Sequence, residues 1–295
     1  MPTHTLLMTG ASRGIGRIAA ERLREDPDRH LLVLGRDTGS AENTIPCDLA
    51  SLDEVRTAAR TVEQLLDAGE IPPLRGFLGN AGVQMTSVTA TTADGFERTF
   101  GINVLANQLL LGLLMDRFAA PSRIVITASD VHFGDFKHNL GLVPAPRWAE
   151  AGELARPGTD RRASGTQEGR RAYATSKLGV LYQVHALARR LPTGVDAYAY
   201  NPGLVPGTGL ARDAGPVARW AFRAMVPVLS RTPLATTAET AGRLLADVFS
   251  GPRPGESGAY LDRGHVVPSS PESYDEAREE ALWHDASRLC GLLKA

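Results

Sequence analysis

The chain has 295 residues, of which 43% are hydrophobic, and this length can close one large α/β domain or two small ones. Its formal net charge is -1, with basic and acidic residues mixed along it, so no field concentrates nucleic acid or anionic lipid. Cys47 and Cys290 lie far apart without metal-ligand spacing, and so few thiols indicate a reducing compartment and no disulfides.

The N-terminus carries no targeting pattern. A basic region followed by an apolar stretch is missing, and no later window approaches the roughly 20 apolar residues of a membrane span. The sequence therefore predicts a cytoplasmic protein with no membrane span.

Short apolar runs alternate with helix-length segments along the chain. The strand candidates lie at 5–9, 30–35, 74–79, 123–128 and 194–200. Near-continuous apolar strands separated by helices are typical of a parallel sheet buried on both faces and built from right-handed βαβ units. The pattern predicts an α/β fold, a single doubly wound parallel sheet of the Rossmann type with helices on both faces, formed by one domain over residues 1–295.

Two helices have clear boundaries in the sequence. Residues 51–54 form a capping-box pattern that starts a helix running to about residue 68, where Gly69 and two prolines stop it. From Tyr173, residues at helical spacing continue until Pro192, so one stripe of this helix is predicted to face the sheet and the cleft at its edge.

Two stretches break this rhythm. Residues 131–170 are rich in Pro, Gly and Arg and are too long for an ordinary connection, so we interpret them as an inserted substrate loop. Such a loop is either a lid over the site or an inert surface loop. A Gly- and Pro-rich segment at 201–212 precedes a helical C-terminal extension at about 213–295, with helical patterns at 216–229 and 236–249.

A glycine-rich turn, T-G-A-S-R-G-I-G at residues 9–16, follows the first strand and opens a helix. Glycines tighten such a turn and let backbone N–H groups approach a pyrophosphate, while the helix N-terminus adds favourable partial positive charge. The spacing Gly-x-x-x-Gly-x-Gly departs from the usual Rossmann spacing. We predict a dinucleotide site here, and a simple turn is the alternative.

The end of the second strand indicates which dinucleotide binds. A ribose-binding carboxylate is expected there for NAD, but Gly35 and Arg36 occupy the position. Arg13 lies inside the glycine loop, so two guanidinium groups could converge on a 2′-phosphate. NADP(H) is therefore the predicted cofactor. The alternatives are that both arginines are solvated and that Asp37 faces the ribose.

Tyr173 and Lys177 are four residues apart and therefore share one face of a helix. A tyrosine with an ordinary pKa of about 10 exchanges protons poorly near neutrality unless its phenolate is stabilised, and a nearby ammonium supplies that. The pair predicts proton transfer at a carbonyl or alcohol, while a plain helix surface is the alternative for the spacing taken alone.

Seven short motifs then occur in one order: T-G-A-S-R-G-I-G at 9, C-D-L at 47, G-N-A-G at 79, I-N-V at 102, I-T-A-S at 126, Y-A-T-S-K at 173 and N-P-G at 201. Their order, over nearly the whole chain, resembles the short-chain dehydrogenase/reductase family. The long insertion before Tyr173, G-L-A-R at 209–212 and a C-terminal segment with Trp283 resemble the branch containing retinol dehydrogenases and light-dependent protochlorophyllide reductases.

This resemblance implies roles for individual residues. Tyr173 would be the proton donor, with Lys177 as its partner, and Ser129 would hydrogen-bond the substrate oxygen. Asn103 would hold a water that links Lys177 to solvent. The implied cofactor contacts are Gly10, Ser12, Arg13, Gly14, Ile15, Gly16, Arg36, Asp48, Leu49, Asn80, Ala81, Gly82, Tyr173, Lys177, Pro202, Gly203, Val205 and Thr208.

Two positions depart from the family's pattern. Thr208, which resembles the threonine that holds the carboxamide, lies one position later than in most members. Leu204 stands where protochlorophyllide reductases carry a cysteine thought to donate a proton, which weakens the photochemical version of the resemblance.

Several residues also have structural interpretations. Asp48 could be a local turn carboxylate and Asn80 could satisfy backbone groups at a strand end. Cys47 is expected to be a packing residue rather than a reactive thiol. His132 could contact the substrate or be a solvated loop histidine.

The leading hypothesis is NADP(H)-dependent hydride transfer to or from a carbonyl or alcohol of a hydrophobic or polycyclic small molecule. Reduction of a carbon–carbon double bond is a second hypothesis, and a non-catalytic NADP(H)-sensing protein is a third. The set of Tyr173, Lys177, Ser129 and Asn103 argues against a sensor, which needs no proton relay. A monomer and a homo-oligomer both remain consistent with the sequence.

Overall fold

The computed structural model describes residues 1–36, 43–159, 165–205 and 235–293. Within them, one eight-stranded sheet has the order β3-β2-β1-β4-β5-β6-β7-β8 and is parallel except for the antiparallel β7–β8 pair. The predicted doubly wound α/β fold is confirmed. The strands are β1 (His4–Thr9), β2 (Arg29–Gly35), β3 (Thr44–Pro46), β4 (Leu74–Gly79), β5 (Phe118–Thr127), β6 (Val195–Asn201), β7 (Tyr260–Asp262) and β8 (His265–Val267).

All five predicted strands are present, as β1, β2, β4, β5 and β6, with shifted ends. The sequence did not predict β3, β7 and β8, which have three residues each and are too short to show a period. Arg263 and Gly264, both at positive φ, turn the chain between β7 and β8. The C-terminal extension, which the sequence predicted to be helical, therefore also contributes strands to the sheet.

Helices cover both faces of the sheet. In the described residues they are α1 (Gly14–Arg24), α2 (Leu52–Asp67), α3 (Arg98–Phe100), α4 (Ala106–Leu114), α5 (Phe136–Asn139), α6 (Ala151–Leu154), α7 (Thr166–Ala188), α8 (Ala238–Ser250) and α9 (Glu276–Leu289). One buried core joins the sheet to α1 and α8, and the other joins it to α2, α4, α7 and α9. The predicted pattern at 216–229 lies outside the described residues.

The start of α2 matches the predicted cap only in part. The Ser51 hydroxyl accepts a hydrogen bond from the Glu54 N–H at 3.3 Å, as predicted. The Glu54 carboxylate, however, accepts from the Asp48 N–H at 2.7 Å. The capping box is thus replaced by a bond that reaches back into the loop after β3.

The helix that carries Tyr173 begins earlier than predicted, at Thr166. Its first residues are exposed and show no apolar residues at helical spacing, so the sequence pattern did not indicate this N-terminal turn. The described part of the inserted segment before it is anchored. The Trp148 and Tyr182 rings meet edge to face with centroids 4.6 Å apart, and the Arg147 N–H donates to Thr175 Oγ1 at 3.0 Å.

One helical stretch, Arg98–Arg117, is long and apolar enough to cross a membrane by length and composition, with a mean hydropathy of 1.2. The expectation that no window approaches a membrane span overlooked it. Its apolar window is 78% buried inside the domain, and the core helix of a globular domain passes the same test.

Candidate active site

The glycine loop lies at the carboxyl edge of the sheet, between β1 and α1, and is packed directly against the chain that follows β4. Gly10 has φ of +73°, and a Cβ there would lie 2.6 Å from the Ala81 nitrogen. A Cβ on Gly16 would lie 2.0 Å from the Gly10 oxygen. Only glycine permits these approaches, so the loop leaves its backbone open toward the cleft.

Asn80 holds this loop to the neighbouring strands. Its Nδ2 donates to the Gly10 oxygen at 3.0 Å, and its Oδ1 accepts from Thr127 Oγ1 at 3.3 Å. The Ala81 N–H donates to Thr9 Oγ1 at 3.2 Å. The structural interpretation of Asn80 therefore applies: its side chain joins the ends of β1, β4 and β5 beside the glycine loop.

The N-terminus of α1 is open to an anion. Within the described chain, Arg13 at the N-cap makes no side-chain cap, and the first turn holds no acidic residue. The free N–H groups and the helix dipole therefore point at the cleft beside Gly14. Ser12 is exposed, and Ile15 is half-buried.

Arg13 and Arg36 stand at the same edge of the sheet. Thr9 pairs with Leu34, so the chain beyond β2 leaves the sheet next to the glycine loop. Both arginine side chains are exposed. Asp37, the carboxylate considered for an NAD ribose, lies outside the described residues.

The Asp48 carboxylate takes part in a local turn, one of the two roles considered from the sequence. Its Oδ1 accepts the Ala50 N–H at 3.0 Å, and Leu49 packs against the core. The sulfur of Cys47 is buried, and burial, with Glu54 and Asp48 nearby, raises its pKa to about 12. Cys47 is therefore a packing residue that stays protonated.

The residues predicted to carry the chemistry converge at the end of β5. Ser129 follows this strand, and its hydroxyl is a hydrogen-bonding neighbour of the Tyr173 phenol. Lys177 lies 5.7 Å from the Tyr173 ring centroid, and its ammonium donates to the Thr127 oxygen at 2.6 Å. Two elements that are distant in sequence, β5 and α7, thereby meet in one cluster.

Burial changes the proton affinities of this cluster. Burial raises the pKa of Tyr173 to about 12, although the hydrogen bond with Ser129 opposes this. Burial lowers the pKa of Lys177 to about 8. Tyr173 is therefore a neutral phenol at neutral pH, which is the form that can donate a proton.

Asn103 lies beneath this cluster in a π-helical turn, Gly101–Leu105. Its Nδ2 donates to the Val83 oxygen and to Ser176 Oγ, both at 2.9 Å, and its Oδ1 accepts the Val83 N–H at 2.9 Å. Both amide hydrogens are used, so the side chain can bind a water only through its oxygen. Single π-helical turns within helices are frequent at functional sites.

Gly82 and Ser176 complete the floor of the cluster. A Cβ on Gly82 would lie 3.3 Å from Asn103 Oδ1 and 3.6 Å from Lys177 Nζ, so the exposed backbone of Gly82 passes close above both. Ser176 is fully buried, and its hydroxyl donates to the backbone carbonyl oxygen of Tyr173 at 2.7 Å. Sequence reasoning missed Ser176, although it lies within the Y-A-T-S-K motif.

The loop after β6 is held by Asn201. Asn201 Oδ1 accepts the N–H of Gly203, which has φ of +75°, at 3.2 Å, and Nδ2 donates to Asp130 Oδ1 at 2.7 Å. Pro202 is half-buried and Val205 is buried. Thr208 lies outside the described residues, so its predicted contact stays a prediction.

Both expectations for His132 were wrong. The side chain is fully buried, and its ring nitrogens contact the Ser129 oxygen at 2.6 Å and the Ser270 N–H at 3.1 Å. Burial lowers its pKa to about 4, so the ring is neutral. It is neither solvated nor in the open cleft. Sequence reasoning lacked the signal because Ser270 lies 138 residues away along the chain.

Among the residues that the structure describes, no group of three or more His, Cys, Asp or Glu side chains could hold a metal ion. The glycine cradle and the open end of α1 fit a dinucleotide instead. The site combines an anion-binding helix end, a buried phenol, an ammonium and a hydroxyl.

Comparison with known proteins agrees with this geometry. The family described as short chain dehydrogenase matches residues 4–139. Protochlorophyllide reductase of Chlamydomonas reinhardtii is 30% identical over 98% of this chain and 78% of that protein, and retinol dehydrogenase 13 of Homo sapiens is 30% identical over 99% and 86%. The structure of NADPH-bound carbonyl reductase from chicken fatty liver superposes with a TM-score of 0.60 at 18% identity, covering 90% of this chain and 99% of that one.

The fold and the site together define a Rossmann-type oxidoreductase that works with a nicotinamide cofactor. The chain belongs to the short-chain dehydrogenase/reductase family.

Proposed function

We propose that this chain is an NADP(H)-dependent oxidoreductase that transfers a hydride between the nicotinamide and a carbonyl or alcohol of a hydrophobic or polycyclic small molecule. The observation that carries the proposal is the meeting of Ser129, Tyr173 and Lys177 beside the glycine loop. The similarity to a retinol dehydrogenase and to an NADPH-bound carbonyl reductase supports it.

The chain's own residues suggest how the cofactor is held. The Gly10–Gly16 cradle and the open end of α1 would hold the pyrophosphate, and Arg13 and Arg36 would hold a 2′-phosphate. Bound NADPH supplies the hydride for reduction, and NADP⁺ accepts it in the reverse direction. By resemblance to the family, Asp48 would lie at the adenine ring and Gly203 at the nicotinamide side.

The protein supplies the proton and the electrostatic environment. In reduction, the neutral Tyr173 phenol gives its proton to the substrate oxygen as negative charge develops there, and becomes a phenolate. The Ser129 hydroxyl donates a hydrogen bond to the same oxygen. The Lys177 ammonium, close to the ring, stabilises the phenolate until a proton returns through the side facing Asn103.

The segment at 131–170 is proposed to cover the substrate. Its described part is held to the helix that carries Tyr173: the Arg147 N–H donates to Thr175 Oγ1 at 3.0 Å, and the Trp148 ring meets the Tyr182 ring edge to face. Phe136 is 73% exposed and offers an apolar surface to a hydrophobic substrate.

A lid should gain protection from hydrogen exchange when NADPH and a substrate analogue bind together, and a shortened segment should raise KM without changing NADPH affinity. Unchanged protection and kinetics would make it an inert loop.

Reduction of a carbon–carbon double bond is the second candidate, because protochlorophyllide reductases are among the relatives at 30% identity. Leu204 is half-buried after β6 and has no proton to give, so a double-bond reduction here would depend on Tyr173. The two candidates therefore differ in substrate and not in the proton donor.

NADPH oxidation against a panel of aldehydes, ketones and enones tests these proposals. Carbonyl reduction is expected in the wild type, and Tyr173→Phe should lower kcat by roughly 10²- to 10⁴-fold while NADPH still binds. Tyr198→Phe is the matched control, since its hydroxyl donates to the distant Gly255 oxygen. Turnover of enones alone would favour the second candidate. NADPH binding without any oxidation would favour a sensor.

A further inference from the structure

The turn that follows Ser129 is tied to the C-terminal segment by one side chain. His132 lies in a 3-10 turn, Asp130–Phe133, and is fully buried. A backbone N–H can only donate, so Nε2 must accept the Ser270 N–H at 3.1 Å. Nδ1 then carries the ring proton and donates a hydrogen bond to the backbone carbonyl oxygen of Ser129 at 2.6 Å. The two partners fix one tautomer of the ring.

The orientation of the ring is fixed as well. The Phe133 ring centroid lies 4.2 Å from that of His132, and the Tyr260 ring meets it edge to face at 5.1 Å. The Tyr260 hydroxyl donates to Asp130 Oδ1 at 2.8 Å. The turn is therefore bonded to β7 on one side and to the C-terminal segment on the other.

The C-terminal segment is bonded in turn to the helix that carries Tyr173 and Lys177. His185 Nδ1 donates to the backbone carbonyl oxygen of Ser273 at 3.0 Å. The Tyr182 hydroxyl donates to the backbone carbonyl oxygen of Glu272 at 3.0 Å. The Ser273 hydroxyl closes the segment on itself by donating to the Ser270 oxygen at 2.7 Å. The chain of bonds runs from Ser129 through the segment Ser269–Ser273 to α7.

We propose that His132 is a positioning residue, which fixes Ser129 relative to Tyr173 by joining the turn after β5 to the C-terminal segment and, through it, to α7. The inference rests on the proposed function, since Ser129 and Tyr173 are its catalytic pair. A misplacement of reacting groups by about 1 Å can cost on the order of 100-fold in rate, so a single buried bond at this point is enough to matter.

Two conservative variants separate the two bonds. In His132→Asn the amide nitrogen can replace Nδ1 and keep the bond to the Ser129 oxygen, while the Ser270 N–H loses its acceptor. In His132→Gln the amide oxygen can replace Nε2 and keep the Ser270 bond, while the Ser129 oxygen loses its donor. His284→Gln is the control, because the His284 side chain is 67% exposed on the surface of α9, with the Asp285 carboxylate as its neighbour at 3.5 Å.

Each His132 variant should lower kcat by about tenfold or more, with KM for NADPH and for the carbonyl substrate changed less than about threefold. The isotope effect on kcat with 4-deuterated NADPH should rise, since hydride transfer becomes slower relative to product release. The control should match the wild type. A kcat within about twofold of the wild type in both variants would overturn the proposal.

Hydrogen exchange tests the positioning role of His132 without a measurement of enzyme activity. His132→Gln should speed exchange in peptides covering 128–134, and His132→Asn should speed it in peptides covering 268–274. Exchange at the wild-type rate in both regions would overturn the positioning role, whether or not a carbonyl substrate is turned over. Failure to turn over any carbonyl substrate would count only against the proposed function. If the His132 variants do not fold, Tyr182→Phe removes the Glu272 bond from the α7 side and should lower kcat in the same way; unchanged kcat there would also overturn it.

Discussion

The ammonium nitrogen of Lys177 lies 5.7 Å from the ring centroid of Tyr173, and both side chains are buried. Burial lowers the pKa of Lys177 to about 8, so the ammonium that would stabilise the phenolate is lost as the pH rises above that value. The cation that the reaction needs is therefore present at neutral pH but not in strongly alkaline solution.

From this relationship we expect kcat/KM for carbonyl reduction to fall as the pH rises through about 8. Lys177→Met keeps most of the aliphatic stem and removes the charge, so it should lower kcat/KM by roughly 10²- to 10⁴-fold and abolish this alkaline limb. A pH series of initial rates measures both effects. Lys137→Met, at an exposed lysine, should keep the wild-type limb. A Lys177→Met enzyme with the same limb would assign it to another group.

The exposed arginines at the edge of the sheet should decide between the two dinucleotides. Arg36→Ala should weaken NADPH binding by about 1.5–3 kcal/mol, the size of a lost charge-assisted bond, and leave NADH binding almost unchanged. Arg13→Ala should act in the same direction. Fluorescence titration with each cofactor measures the difference. Arg17→Ala is the control, because Arg17 is paired with Glu21 on the surface of α1. Equal weakening of both cofactors would argue against a 2′-phosphate site.

Gly16→Ala should damage the cofactor loop specifically. The new Cβ would lie 2.0 Å from the Gly10 oxygen and 2.3 Å from Asn80 Nδ2, so the loop must move away from β4. We expect overpacking to cost about 1–3 kcal/mol of stability and NADPH affinity to fall by at least about tenfold. Thermal melts and titration provide the measurements.

Gly152→Ala is the matched control for that substitution. A Cβ on Gly152 in α6 meets nothing within 4 Å, and alanine favours a helix over glycine, so this variant should be as stable as the wild type or slightly more stable. If Gly16→Ala binds NADPH as the wild type does, the contact between the glycine loop and Asn80 does not shape the cofactor site.

His132 should make the folded state sensitive to mild acid. Burial lowers its pKa from 6.5 to about 4, with the Ser129 hydrogen bond opposing, so the unfolded chain binds the proton first as the pH falls. Stability should therefore rise with pH between about 4 and 6.5 and should be lost on acidification through that window, by up to about 3 kcal/mol.

Urea unfolding at several pH values measures this dependence. His132→Asn removes the titrating ring and should flatten the curve between pH 4 and 6.5. Tyr198→Phe removes a phenol whose pKa burial raises to about 12, outside this window, and should keep the wild-type slope. An unchanged slope in His132→Asn would mean that other groups dominate the acid response.

The long elements and the local spacings could be predicted from the sequence, because their physical causes lie within a few residues. Five strands are apolar runs, the Ser51 cap acts over three residues, and the pairing of Tyr173 with Lys177 follows from the pitch of one helix. The Gly10–Gly16 spacing likewise reflects one tight turn. Strands of three residues, such as β3 and β7, could not be predicted, since they are too short to show a period.

Only the tertiary structure decided which polar groups meet across the sheet. Asn103 bonds to Ser176, Asn80 to Gly10, and His132 to Ser270, pairs that lie 73, 70 and 138 residues apart along the chain. No local pattern records such a bond, because each depends on strand order and on burial that leaves a polar atom with a single available partner. His132 shows the consequence: its sequence context indicates a surface loop, whereas the fold buries it between Ser129 and the C-terminal segment.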